Sequence, residues 1–180
     1  MASKAQKERD DDESVMRSNY LGLEIRPSVV QFAKDRIYKR KLTGLVDFIG
    51  CNANYDLDRI LRKYTVGGTI SLVSIQFPDP HFKHQHRKRR VVTPELVLIL
   101  SKHIPENGDV FIQSDVKEVF DRMRLTFREA GEDYFIDMVD NVTEYMEMNP
   151  IGIPTEREIA VFDQGLPVYR TIFRRNSVKI

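Results

Sequence analysis

From Tyr20 onward, short apolar runs alternate with segments whose apolar residues recur at helical spacing, and that alternation restricts the chain to few folds. Residues 20–25 (YLGLEI) read as a strand. Pro27 suits a first helical position, and Val29, Val30, Ala33 and Ile37 continue at helical spacing to about Leu42. Residues 45–49 are strand-like and enter a turn at 50–53, after which Asp56 is placed to cap a helix over 57–64. Residues 71–77 make the clearest strand, stopped by Pro78 and Pro80. Thr93 before Pro94 is a cap followed by an N-terminal proline, predicting a helix over 95–103. Past Gly108 a strand is expected at 110–113. Ser114 or Asp115 then caps a helix with Val119, Phe120, Met123, Phe127 and Ala130 on its apolar face. A strand over 134–139, a helix over 156–162 and a strand over 168–173 complete the series. This pattern predicts an α/β domain with a mainly parallel sheet.

In such sheets ligands bind beyond the carboxyl ends of the strands. Four polar residues stand there: Glu24 closes the first strand, Asn52 follows the second, Asp79 the third and Asp115 the fourth. Each alone reads as a cap or turn residue. Four in register predict a site along one rim.

The 180 residues suffice for one domain with a sizeable core. A single cysteine, Cys51, excludes a disulfide framework and a cysteine-clustered zinc site, and fits a reducing compartment. No apolar run approaches the roughly 20 residues that span a bilayer. The N-terminus has no apolar stretch of a secretory signal and is too acidic for a typical transit peptide. The net charge of +1 conceals strong segregation. Residues 1–14 carry −2 and, with the rest of 1–17, read as an acidic, disordered tail ahead of a domain over 18–180. Residues 83–90 (KHQHRKRR) carry +5 from Lys83, Arg87, Lys88, Arg89 and Arg90. A polyanion would be held by this patch and not by overall basicity. The cluster also reads as a solvated charge run or a localisation signal. His81, His84 and His86 have no suitably spaced carboxylate or cysteine partner, so no metal site is expected.

Phe77-Pro-Asp-Pro-His-Phe-Lys83 followed by Arg87-Lys-Arg-Arg90 resembles the signature of the tRNA (guanine-N7-)-methyltransferases. Tyr20-Leu-Gly-Leu-Glu-Ile-Arg26 is similar to the family's second strand. Asn149-Pro-Ile-Gly-Ile-Pro-Thr-Glu-Arg-Glu158, with Gly165-Leu-Pro-Val-Tyr-Arg170 and Phe173-Arg-Arg175, resembles its C-terminal substrate segment. The resemblance implies a Rossmann-like class I methyltransferase whose mainly parallel sheet ends in antiparallel strands. It implies methyl transfer from S-adenosylmethionine to N7 of a guanosine in the tRNA variable loop. By position it implies that Glu24 binds the cofactor ribose and that Asn52 and Ala53 contact adenine. Asp79 would lie between cofactor and guanine as the catalytic group. Lys83, Asp115, Thr155 and Glu158 fall at substrate positions, and Arg87, Lys88, Arg89 and Arg90 would hold tRNA phosphates. The C-terminal motifs resemble the bacterial or organellar type, which generally needs no WD-repeat subunit. The location expected is cytoplasmic, or organellar or nuclear if eukaryotic.

The family's first strand and glycine-rich cofactor loop have no counterpart before Tyr20, since Gly22 is the first glycine. A truncated gene model, an alternative transcript or a degenerate copy is expected from this. Two readings stand: an active methyltransferase, or a non-catalytic remnant that retains tRNA binding. A nucleotide-dependent oxidoreductase on the same sheet draws no support from the Pro-Asp-Pro motif.

Overall fold

The computed structural model describes residues 18–81, 89–141 and 143–179. The chain divides into two compact units between Asp56 and Leu57. Among the described residues no helix is long and apolar enough to cross a membrane.

The first unit contains β1 (Tyr20–Glu24), α1 (Pro27–Lys39) and β2 (Val46–Gly50). β1 and β2 pair in parallel, from Tyr20 opposite Val46 to Glu24 opposite Gly50. Their core is small: Ile37, Leu42 and Val46, with Tyr20, Leu45 and Phe48 packed against them. α1 begins at Pro27 as the sequence indicates, and ends before Leu42 because Lys41 adopts a left-handed backbone (φ 56°). Leu42 N–H then bonds back to Ile37 O at 3.0 Å, which turns the Leu42 side chain fully into the core. Gly22 lies opposite Phe48, and a Cβ at Gly22 would stand 2.3 Å from that ring.

α2 (Ala53–Tyr64) starts four residues earlier than the expected 57. The cap is Asn52 and not Asp56: Asn52 Oδ1 accepts from Asn54 N–H at 3.1 Å, and Asn52 O accepts from Asp56 N–H at 2.9 Å.

The second unit carries β3 (Leu72–Gln76), α3 (Pro94–His103), β4 (Asp109–Ser114), α4 (Lys117–Ala130), β5 (Phe135–Asp137), α5 (Glu156–Asp163) and β6 (Tyr169–Arg175). The sheet order is β3-β4-β6-β5, with β3 parallel to β4 and β6 antiparallel to both β4 and β5. Strand directions therefore follow the expectation of parallel strands ending in antiparallel ones. They are distributed over two sheets, where the sequence predicts one. β4 is buried from Val110 to Ser114, matching its nearly continuous apolar run. α4 supplies Phe120, Met123 and Phe127 to the core; Phe127 stacks on Phe173 at 4.7 Å and meets Phe135 edge-on at 5.7 Å. Such a phenylalanine contributes about 3–5 kcal/mol relative to alanine. Thr93 caps α3 as expected, accepting from Leu96 N–H at 3.2 Å. α4 departs from expectation: its N-cap is Val116, whose side chain has no acceptor, while Ser114 Oγ accepts from Val116 N–H at 3.1 Å and the Asp115 carboxylate is engaged by Arg157.

Candidate active site

Each unit brings two of the four predicted rim residues to one sheet edge. In the first, Cys51 N–H donates to Glu24 O at 3.0 Å, so Glu24 and Asn52 share the carboxyl end of the β1–β2 pair. Glu24 Oε1 accepts from Arg26 N–H at 2.9 Å and from Arg26 Nε at 3.1 Å. Partial burial alone would raise the Glu24 carboxyl, but the Arg26 bonds and charge hold it below its ordinary value. Asn52 and Ala53 are half-buried at the start of α2, where the Asn52 carboxamide oxygen serves as the cap.

In the second unit, β3 and β4 end together at Gln76 opposite Gln113, and Asp79 and Asp115 follow on the same edge. Phe77 takes a left-handed backbone (φ 49°), which is uncommon for a bulky residue, and its N–H donates to Gln113 O at 2.9 Å. This turn directs Pro78 and Asp79 into a cleft lined by Val91, Val92, Val119 and Met123, with Arg90, Glu118 and Arg122 also on its walls. Asp79 is exposed. Arg122 Nη2 donates to Glu118 Oε1 at 2.8 Å.

The predicted phosphate-binding loop is only partly described. Lys83, Arg87 and Lys88 lie outside the described residues, as do His84 and His86. Arg89 is exposed, whereas Arg90 is half-buried and its Nε donates to His81 O at 3.1 Å, bracing the base of the loop. Among the described residues no group of three or more His, Cys, Asp or Glu could hold a metal ion.

Thr155 and Glu158 form a capping box at the start of α5. Glu158 N–H donates to Thr155 Oγ1 at 3.1 Å, and Thr155 N–H to Glu158 Oε2 at 3.4 Å. Glu158 is 1% exposed and pairs through Oε1 with Arg170 Nη2 at 2.9 Å, while Asn149 Nδ2 donates to Oε2 at 2.7 Å. Burial lowers the Arg170 pKa, opposed by the Glu158 charge. Between Thr155 and Glu158, Arg157 reaches 42 residues back to Asp115.

Sequence reasoning overlooked two features. Gln113 links Gln76 and Glu158 inside the sheet. Arg124 and Arg128 both reach Asp137 Oδ2, at 2.7 and 2.8 Å, and Arg124 also holds the carbonyls of Val139 and Glu144. The signal for the second was present: Arg124 interrupts the apolar stripe Phe120–Met123–Phe127, where a charged side chain needs a buried partner.

Parallel α/β strands followed by antiparallel ones are the arrangement of Rossmann-like methyltransferase folds. The family model described as "Putative methyltransferase" matches residues 14–171. The crystal structure of a "putative rRNA-methylase" from Clostridium thermocellum has the same fold, with a TM-score of 0.53 at 9% identity over 89% of this chain and 74% of that one. The tRNA (guanine-N(7)-)-methyltransferase of Synechococcus elongatus is 47% identical over 157 residues, which is 87% of this chain and 70% of the relative. The protein of the same name from Thermosynechococcus vestitus is 42% identical over 160 residues, covering 89% of this chain and 70% of the relative. The chain belongs to the tRNA (guanine-N7-)-methyltransferase family.

Proposed function

We propose that this chain transfers a methyl group from S-adenosylmethionine to N7 of a guanosine in the tRNA variable loop. The observation that carries the reading is Asp79, held exposed at the carboxyl end of β3 by the left-handed turn at Phe77, within a motif shared by resemblance with the family.

The physical chemistry suits these residue types. Guanine N7 has an in-plane lone pair and no proton, so the site needs positioning and electrostatics more than a strong base. The cofactor supplies an electrophilic sulfonium methyl. Glu24 fits its ribose: an ionised, half-buried carboxylate at a strand end accepts from two hydroxyls, the logic of the acidic residue in dinucleotide folds. Arg26 must yield part of that carboxylate when the diol arrives. Asn52 and Ala53 would border the adenine. Asp79, facing the purine, accepts from the guanine edge and favours the positive charge that develops on the ring. Lys83 and Asp115 serve the substrate, with Arg157 holding Asp115 in place. Thr155 and Glu158 shape the substrate segment through their capping box and buried ion pair. Arg87, Lys88 and Arg89 meet tRNA phosphates, and Arg90 steadies the loop that carries them. In this reading residues 18–180 act as one methyltransferase domain behind the tail, without a WD-repeat subunit. The cyanobacterial relatives favour a cytoplasmic or organellar setting.

The test pairs titration of the purified chain with S-adenosylmethionine and methyl transfer to unmodified tRNA, mapped by strand cleavage at N7-methylguanosine. Binding and transfer are expected, with Asp79→Asn lowering kcat on the order of 10²–10³-fold. Folded protein that shows no binding at millimolar cofactor would sink the enzyme and leave the tRNA-binding remnant.

A further inference from the structure

We infer that Gln113 is a positioning residue, whose buried side chain couples the Asp79 turn to the segment carrying Thr155 and Glu158; this rests on the reading of Asp79 given above. Gln113 is fully buried near the end of β4. Its backbone oxygen accepts from Phe77 N–H at 2.9 Å, and its Nε2 donates to Gln76 Oε1 at 2.6 Å. One residue thus grips both the last position of β3 and the left-handed residue after it. The same Nε2 lies 3.4 Å from Glu158 Oε2, the oxygen that also accepts from Asn149 and from Thr155 N–H. A left-handed phenylalanine persists only where its surroundings over-determine it. The Gln113 backbone oxygen holds that residue directly, and its side chain acts on the turn through the adjoining Gln76.

The orientation of the amide is fixed by its neighbours. The Glu158 carboxylate only accepts, so Gln113 presents its NH2 to it; Gln76 then turns Oε1 toward Gln113 and its Nε2 toward Ser74 Oγ at 2.5 Å. Among the described residues, buried Gln113 Oε1 has no hydrogen-bond partner, nor has Nε of Arg170, the residue directly opposite on β6. A buried acceptor left unmatched is a cost that a methionine of similar length would avoid. The bridge instead serves geometry: it links two segments whose relation an in-line transfer depends on.

The experiment uses the full chain with Gln113→Met, which preserves length and removes the amide. Hydrogen exchange of the free protein is measured together with the steady-state kinetics of tRNA methylation. The expected result is a folded variant whose amides over 76–81 exchange about tenfold faster or more. Its kcat should fall by about 100-fold, the scale of an ångström of misplacement, with KM for tRNA changed less than about threefold. Unchanged exchange over 76–81 in a folded variant, or wild-type kcat per folded molecule, overturns the proposal, since a merely structural amide would alter stability alone. If Gln113→Met does not fold, Gln76→Met removes the same bridge from the half-buried side and is read identically. If the parent chain transfers no methyl group, the methyltransferase reading fails, yet the exchange measurement still decides the coupling.

Discussion

Glu24 in the first unit and Asp137 in the second are both carboxylates held ionised by arginine, and they differ in every other respect. Glu24 takes its partner from two residues away, with 62% of the Arg26 side chain exposed. The Asp137 side chain is 6% exposed and draws on Arg124, on Arg128 and on Thr171, 34 residues distant, whose Oγ1 donates at 2.8 Å. Burial would raise the Asp137 carboxyl, yet these bonds and that of Val139 N–H hold it below the ordinary value. The contrast separates two uses of one chemistry. A local, solvent-screened pair can be exchanged for a ligand at little cost, whereas a buried clasp drawn from three elements holds the fold.

The sharpest way to break this contrast is to remove Arg124. Arg124→Ala leaves Asp137 buried with one arginine and releases the carbonyls of Val139 and Glu144, so a loss of about 3–5 kcal/mol is expected in urea unfolding. A loss below about 1 kcal/mol would place the clasp in the same class as the surface pair.

Acid provides the next test. The Asp137 pKa is lowered by folding, so its contribution is fully present above the unfolded carboxylate value of about 3.9 and is lost as pH falls through the folded value. Stability of the parent should therefore fall below about pH 4, and that of Asp137→Asn should fall less steeply over the same window. Parallel acid limbs would show that other carboxylates dominate.

The smallest effect belongs to the first unit. Arg26→Ala should cost no more than about 1 kcal/mol, because the pair is exposed. The Glu24 carboxyl should nevertheless move up, since the Arg26 side chain supplies a bond and a charge that lower it, while the backbone N–H groups of residues 25 and 26 stay in place. Carbon-detected NMR titration reads that shift directly, and an unmoved Glu24 would mean that another group sets its charge.

What the sequence revealed, and what it hid, follows the same division between local and distant partners. Strand and helix positions came through because they depend on periodicity and on adjacent residues: Thr93 and Pro94 opened α3, and Pro27 opened α1. α2 starts earlier than expected because Asp56 also suits a cap, while the side chain that caps the helix is Asn52, inside a segment that reads as a turn. Asp115 was offered as a cap, yet its carboxylate belongs to Arg157, a partner no window of neighbouring residues could contain. Glu158 was placed by family motif as a substrate group, and the structure gives its oxygens to Arg170, Asn149, Gln113 and Thr155. Strand pairing was legible only in part, because alternation predicts strands and crossovers but not which strands join one ladder.

The close approach of Gly22 and Phe48 has a consequence for how this chain can vary. The two face each other across the β1–β2 ladder, and the ring occupies the space where any Cβ at residue 22 would sit. Neither position changes alone without a response from the other: an alanine at 22 requires the ring to move aside, and losing the ring opens a void over the glycine.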